Sequence, residues 1–405
     1  MKAIRTTLTL TLTLTSILAI PGCLDDEFSE FEDLDDSFTD EEFRLSHSSY
    51  PLAAPSERDH YYWCIVGQNH DSVWSKVKDT TQWAITKYEE YAGINFEFLL
   101  NYDCAQGVEQ LKVYDGGDMP ARGGAPDQST VKLELSGVDA VKDWGLKPDG
   151  LWYHSRINGI MLHEFGHHLG YAHAMTRQGG DGDTYSTMHY PSGADTNQWW
   201  GGAYAGQDKD WEHHRRLSLS DIVKLMQDYP ARRIYDVSID DHPFSEETPF
   251  SNCPAGKVMI GLECSGSHCD DKRLVCGVPS ASSGTYSSQG ADLYVDPLQW
   301  TRAWFSEGNF SFFLHRWVNG IECSGSYCDN LRLRGQDVFS DSSKTHQVSS
   351  VDSSCYWTGW ISEENPADSN TQNYAVCRKD HAVAGVACSG SYCDNLTLMC
   401  CEMKD

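Results

Sequence analysis

The chain has 405 residues, 40% hydrophobic and 12% aromatic, with a formal net charge of −28. That supplies apolar material for one to three ordinary cores. So acidic a surface excludes nucleic acid and anionic membrane as natural partners, and says nothing about fold.

Residues 1–22 read as a signal peptide: MKAIR is positively charged, and the apolar run TTLTLTLTLTSILAI is too short and too rich in threonine to span a membrane. The following IPGC resembles a bacterial lipobox, which implies cleavage before Cys23 and a lipid anchor on it; simple secretion is the alternative. Either route exports the mature chain, to the cell envelope as an outer-membrane lipoprotein or to the extracellular medium. Fourteen of the fifteen cysteines remain once Cys23 is set aside, an even number in an oxidising compartment. Only Cys64 and Cys104 precede residue 250, so two differently built domains are expected.

Residues 23–49 are acidic with scattered Phe and Leu, a composition that cannot offset ordering entropy. They are expected to be a disordered tether. An inhibitory pro-segment is the alternative, but no metal-blocking motif appears in them.

Residues 50–232 read as a mixed α/β domain. HYYWCIVG (60–67) predicts a strand, VWSKVKDTTQWAITKYEEYAG (73–93) an amphipathic helix ended by Gly93, and INFEFLL (94–100) the next strand. GGDMPARGGAP (116–126) is a turn region, and STVKLELSG (129–137) alternates as a strand.

HEFGHHLGYAH (163–173) carries the chemistry. On a helix, residues four apart differ by about 40° in azimuth, so His163 and His167 share a face and can grip one ion. His168 is rotated about 100° further, off that face. It reads as a partly exposed polar neighbour. Leu162, Phe165 and Leu169 point the opposite way, into a core. Gly170 allows a left-handed residue that reverses the chain and brings back His173 as third ligand. Three neutral imidazoles would leave Zn2+ its charge and an open position for an acidified water. Glu164, beside the first ligand, is placed to take that water's proton and pass it to a leaving amine.

The loop GGDGD (179–183) reads as a solvated turn rather than a calcium site. STMHYPS follows at 186–192, and LSLSDIVKLMQDYP (217–230) predicts a helix with an N-cap at Ser218 or Ser220 and a stop at Pro230. His189, His213 and His214 read as structural or surface groups.

These motifs resemble the metzincin zinc endopeptidases, whose pattern is HExxHxxGxxH followed by a Met-turn. The resemblance covers roughly residues 60–232. It implies that His163, His167 and His173 bind zinc, with Glu164 as general base and acid. It also implies that Met188 is an apolar floor beneath the metal and that Tyr190 helps to hold the oxyanion. The helix at 217–230 is similar to the closing helix of astacin and matrixin domains. Ala174 departs from astacins, which carry Glu there, so activation by burial of a new N-terminus is not implied. By the same analogy, 131–137 would be an edge strand to which an extended substrate adds.

Residues 233–405 contain three copies of one unit: GLECSGSHCDDKRLVC (261–276), GIECSGSYCDNLRLRG (320–335) and GVACSGSYCDNLTLMC (385–400), each preceded by FSEE, FSEG or ISEE at 244–247, 305–308 and 361–364. Short alternating runs with Gly and Ser turns predict a pseudo-threefold β assembly. Pairs 264–269, 323–328 and 388–393 could each close a small disulfide loop; disulfides are preferred to zinc sites in this compartment. The pattern also resembles dermatopontin-like and other secreted adhesive modules. Trp304, Trp317, Trp357 and Trp360 read first as core aromatics and second as platforms for sugar rings.

The expected fold class is therefore α+β: a metzincin-like zinc protease domain followed by a disulfide-rich all-β domain of three repeats. The expected function is an exported zinc-dependent endopeptidase acting on protein or peptide substrates. The C-terminal repeats would direct it to a glycan or other cell-surface ligand. The alternative is an adhesive or carbohydrate-binding protein on a degenerate, inactive protease scaffold, against which the intact Glu164 argues.

Overall fold

A run of aromatic and β-branched residues at the head of the first domain forms its founding strand, β1 (Tyr61–Val66), with Trp63 fully buried against Phe98 at a ring separation of 4.5 Å. Burying such a ring contributes roughly 1.5–3 kcal/mol. The computed structural model describes residues 56, 58–66, 72–99, 104, 111–115, 122–123, 130–133, 156–171, 174–175, 186–187, 189–190, 217–240, 243–280, 294–295, 299–300, 306, 310–312, 316–339, 347–350, 354–362 and 373–404. The expected signal peptide and tether, the GGDGD loop, His213, His214 and Trp304 lie outside them. All described residues fall in one compact unit, Phe38–Asp405.

Helix α1 (Ser72–Glu89) follows β1. It stops four residues before Gly93, whose N–H instead donates to Tyr229 O at 2.7 Å. Next come β2 (Phe96–Phe98), β3 (Leu111–Asp115), β4 (Arg122–Gly123) and β5 (Thr130–Leu133), in a sheet of order β2-β1-β3-β5-β4. All pairs are parallel except β4 with β5. The middle strand, β3, is not among the predicted ones, because LKVYD offers only Leu111 and Val113 as an inward pair. The expected edge role of residues 131–137 is corrected. Arg122 and Gly123 pair with Lys132 and Val131, so β4 covers that side. Residues 134–137 lie outside the description.

Helix α2 (Arg156–His168) crosses α1, with Phe165 buried between Tyr88 and Phe96 at ring separations of 5.4 and 5.1 Å. Short strands β6 (Ala174–Met175) and β7 (His189–Tyr190) pair in parallel. Helix α3 (Leu219–Asp228) closes the first half. Ser218 caps it: its side chain accepts from Asp221 N, and the Asp221 carboxylate accepts from Ser218 N, a reciprocal capping box.

The second half is all β and shows the threefold repeat as strand exchange. Its strands are β8 (Ile234–Ile239), β9 (Phe250–Asn252), β10 (Val258–Ser265), β11 (Asp271–Pro279), β12 (Tyr294–Val295), β13 (Gln299–Trp300), β14 (Phe310–Phe312), β15 (Trp317–Ser324), β16 (Asn330–Gln336), β17 (Val338–Phe339), β18 (Ser349–Ser350), β19 (Tyr356–Trp357), β20 (Tyr374–Val376), β21 (His381–Ser389) and β22 (Asn395–Lys404). Each repeat contributes a hairpin: β10–β11, β15–β16 and β21–β22. The short strand preceding each hairpin pairs with another repeat's hairpin instead of its own. Thus β9 joins β15, β14 joins β21, and β20 joins β10. The three copies therefore close a ring. The glycine opening each GLEC, GIEC or GVAC run lies at this exchange: a Cβ on Gly261 would sit 2.7 Å from Ala375 O, and one on Gly320 2.7 Å from Ser251 O.

At each hairpin tip a disulfide closes the loop as expected, Cys264–Cys269, Cys323–Cys328 and Cys388–Cys393. Four further bonds, 64–104, 253–276, 355–401 and 377–400, use the other cysteines after Cys23. The tips meet at one pole, where the rings of His268, Tyr327 and Tyr392 pack at 5.3 to 5.6 Å from one another. The chain is thus mostly β-sheet, with three α-helices among the described residues and a disulfide-rich second half.

Two apolar clusters hold it. One lies inside the repeats, among disulfides and residues such as Leu262, Ile321 and Val386. The other runs without interruption from Trp63, Ile85 and Phe165 through Ile222 and Met226 to Val237, Trp317, Val376 and Met403. It therefore includes both halves of the chain.

Candidate metal centre

The site is built on the C-terminal turns of α2. Leu162, Phe165 and Leu169 are buried as the helical spacing requires. Tyr88 Oη donates to Leu162 O at 2.9 Å and Tyr229 Oη to Leu169 O at 2.8 Å, pinning the helix to α1 and to the end of α3. Gly170 ends it at φ +96°, the left-handed conformation expected there. Gly170 N donates to His167 O at 2.9 Å and Tyr171 N to Gly166 O at 3.1 Å, the paired bonds of a Schellman cap.

His163 and His167 lie side by side, their ring centroids 4.7 Å apart and their planes at 87°. Each ring is oriented by a backbone carbonyl. His163 Nδ1 donates to Thr187 O at 2.8 Å, and His167 Nδ1 donates to Tyr171 O at 2.7 Å. A carbonyl only accepts, so the proton sits on Nδ1 in both rings and each Nε2 keeps its lone pair. Metal-ligating histidines characteristically carry such an outer partner. Burial pulls the His167 pKa below its ordinary value and so favours the neutral ring, while the bond to Tyr171 O opposes that shift.

His168 differs from expectation. It is 1% exposed, not partly exposed, and its Nε2 lies 2.7 Å from Tyr61 Oη. Burial lowers its pKa to about 3, so it is a neutral core residue between β1 and α2. The rotation off the ligand face is as expected; what that face meets is β1, which helix geometry alone does not reveal.

Residues 186 and 187 are fastened by α3. Asp221, fully buried, accepts from Ser186 Oγ at 2.6 Å through Oδ1, and from Thr187 N at 2.8 Å and Ser218 N at 3.0 Å through Oδ2. One carboxylate therefore caps the helix and holds the carbonyl-bearing residue that orients His163. The capping box is visible in the spacing Ser218 to Asp221; the second use of Asp221 is not. The pairing of Ala174 with His189 and of Met175 with Tyr190 lays the segment after His173 along the segment after Met188. His173 and Met188, and the side chains of Glu164, His189 and Tyr190, lie outside the described residues.

The two described imidazoles, adjacent and each with Nδ1 bound to a backbone carbonyl, have the donor chemistry a metal requires at two of its three expected positions. A separate group, Glu246, Glu247 and Asp270, brings three carboxylates within 4.8 Å of one another in the first repeat. Two of these are exposed, and Glu246 already holds Tyr327 N at 3.0 Å, so the group reads as a solvated hairpin-tip contact. Among the tryptophans weighed for sugar binding, Trp317 is buried core, whereas Trp357 and Trp360 are 44% and 41% exposed, which corrects their first reading as core aromatics. Neither the family models nor the known proteins compared with this chain match it.

Proposed function

We propose that the chain is an exported zinc-dependent endopeptidase. The observation that carries this reading is the pair His163 and His167, side by side on α2 with each Nδ1 bound to a backbone carbonyl. His163, His167 and His173 would hold the ion. When bound, zinc supplies Lewis acidity that polarises a peptide carbonyl and acidifies water. Glu164, next in sequence to His163, accepts the proton of the attacking water and delivers it to the departing amine. Tyr190 donates a hydrogen bond to the oxyanion that develops on the attacked carbonyl. Asp221 and Tyr171 touch no substrate in this scheme. They orient the two imidazoles.

The exposure of Trp357 and Trp360 favours an added capture role for the repeats, with the flat ring faces stacking on a glycan. Retention on immobilised polysaccharide should fall in Trp357→Ala and Trp360→Ala without loss of peptide cleavage.

The central experiment uses chain beginning at Ser46, made in an oxidising compartment, with Glu164→Ala alongside. Bound zinc and hydrolysis of a mixed peptide library are measured together. One zinc per chain, with cleavage by the parent and none by the variant that still holds zinc, supports the endopeptidase. Zinc bound with no cleavage by either moves the adhesive reading ahead.

A further inference from the structure

The candidate centre is fastened from the far half of the chain. Tyr374, in β20 of the third repeat, donates its phenolic hydrogen to Leu217 O. Leu217 immediately precedes the α3 cap, Ser218, whose N–H and side chain close the box with Asp221. Asp221 in turn accepts from Ser186 and Thr187, and Thr187 O takes the Nδ1 hydrogen of His163. Every link is a backbone or carboxylate hydrogen bond between groups held in register by α3. The path leads from a repeat hydroxyl to the orientation of an imidazole.

Packing supports the same direction. The α3 residues Ile222, Val223 and Met226 share one apolar cluster with Val237, Val258, Ile260 and Val376 of the repeats. Gln227 Nε2 donates to Val237 O at 2.7 Å. The strand carrying Tyr374 is itself clamped, by pairing with β10 and by the disulfide from Cys377 to Cys400. A second bridge between the halves runs elsewhere: Lys379 N donates to Glu90 O at 2.7 Å, and Lys379 Nζ reaches Ile94 O at 3.2 Å and Asn95 Oδ1 at 3.1 Å. That bridge ends on the turn after α1, at Glu90, Ile94 and Asn95.

We propose that the third repeat is a positioning element of the metal centre, acting through Tyr374 on the α3 cap and thence on the Thr187 carbonyl that orients His163. The proposal rests on His163 being a metal ligand. A displaced helix cap shifts both carboxylate oxygens of Asp221, and a ligand ring freed from its outer partner loses the orientation on which affinity depends.

The test uses the full mature chain and cobalt(II) as the metal. Its dissociation constant is measured by competition with a chelator, and thermal midpoints are measured with and without cobalt. Direct removal of an outer partner costs about 10–100-fold in affinity, so Asp221→Asn should fall in that range and Tyr374→Phe, one step further out, near its lower edge. Lys379→Met should lower the midpoint and leave the cobalt constant unchanged. By reciprocity, saturating cobalt should raise the midpoint of Tyr374→Phe less than that of the parent.

If Tyr374→Phe behaves like Lys379→Met, losing stability but binding cobalt within twofold of the parent, the positioning role is wrong and the tyrosine is only a docking contact. Should Tyr374→Phe fold poorly, Tyr374→Trp gives a second reading under the same criterion, since it keeps a large ring but moves the donor. His163→Ala separates the two failures. Unchanged cobalt binding in that variant overturns the metal reading, and this proposal with it.

Discussion

His168 makes the first half of the chain acid-sensitive, and the size of the effect follows from its burial. The double variant His168→Phe, Tyr61→Phe replaces the imidazole and its hydroxyl partner with two rings of similar volume, which cores tolerate at a cost of about 1.5 kcal/mol or less. In the folded chain His168 stays neutral until about pH 3, whereas in the unfolded chain it takes a proton near its ordinary value of 6.5. Between those limits the unfolded state binds more protons, so stability is fully present above 6.5 and declines as pH falls, by up to about 1.4 kcal/mol per unit. From pH 7 to pH 5 this single group accounts for about 2 kcal/mol. Urea unfolding followed by tryptophan fluorescence, with chelator in every sample, measures it. The parent should lose about 2 kcal/mol more than the double variant between the two pH values. Equal losses would show that His168 is not held neutral, and the account of the α2–β1 contact would fail.

Lys272 is fully buried with its ammonium on Cys269 O, at the position where the other repeats carry buried Leu331 and Leu396. Burial, opposed by Asp270 and Asp271, lowers its pKa to about 8. Lys272→Leu should therefore stabilise the chain by about 1–3 kcal/mol at pH 7. The penalty on charged Lys272 is full below the folded value and fades as pH rises from it to the unfolded one, so the gain should shrink when the same urea titration is run at pH 10. Asp221→Ala strips the partner from Thr187 N and Ser218 N, both donating to a fully buried carboxylate, and should cost about 3–5 kcal/mol by urea unfolding, against about 1–2 for Asp221→Asn. Gly261→Ala drives a Cβ against Ala375 O and must push β20 off β10, at about 1–3 kcal/mol in thermal or urea unfolding.

What was legible beforehand was local. Gly170 is assigned its positive φ because it ends an amphipathic run, and the helix start is narrowed to a serine cap at Ser218 or Ser220, which the fold settles at Ser218. The repeats declare themselves by similar residues at near-equal intervals, whereas their tip disulfides are only one pairing the sequence allows until the fold brings each pair together. What stayed hidden depends on partners distant in sequence. His168 looked like a surface residue because its azimuth was known but not that Tyr61 faces it. β3 escaped notice because a five-residue strand between charged neighbours carries too little alternation. Strand exchange was invisible because pairing with another repeat's hairpin and pairing with one's own place the same residues in the same kind of strand. Asp221 carries no sequence signal for its role at residues 186 and 187, because only the fold brings Ser186 to its Oδ1 and Thr187 N to its Oδ2. Lys272 stands where the other repeats carry Leu331 and Leu396, and nothing local shows that it keeps their burial.

The distribution of cross-links gives the two halves different dependencies. Six of the seven disulfides lie within residues 253–401, so the repeats carry their own covalent frame. The first half has one, Cys64–Cys104, joining the end of β1 to the stretch before β3, and none reaches α2 or α3. No disulfide therefore holds helices α2 and α3, and much of the packing around them is shared with β8, β10 and β20. A helix as short as α3, ten residues, is marginal without tertiary support. Its cap, through Asp221, also sets the loop that orients His163. The repeats are in this sense the cross-linked body against which the first half packs. Reduction of Cys377–Cys400, which borders β20, should then weaken cobalt binding at the proposed metal centre.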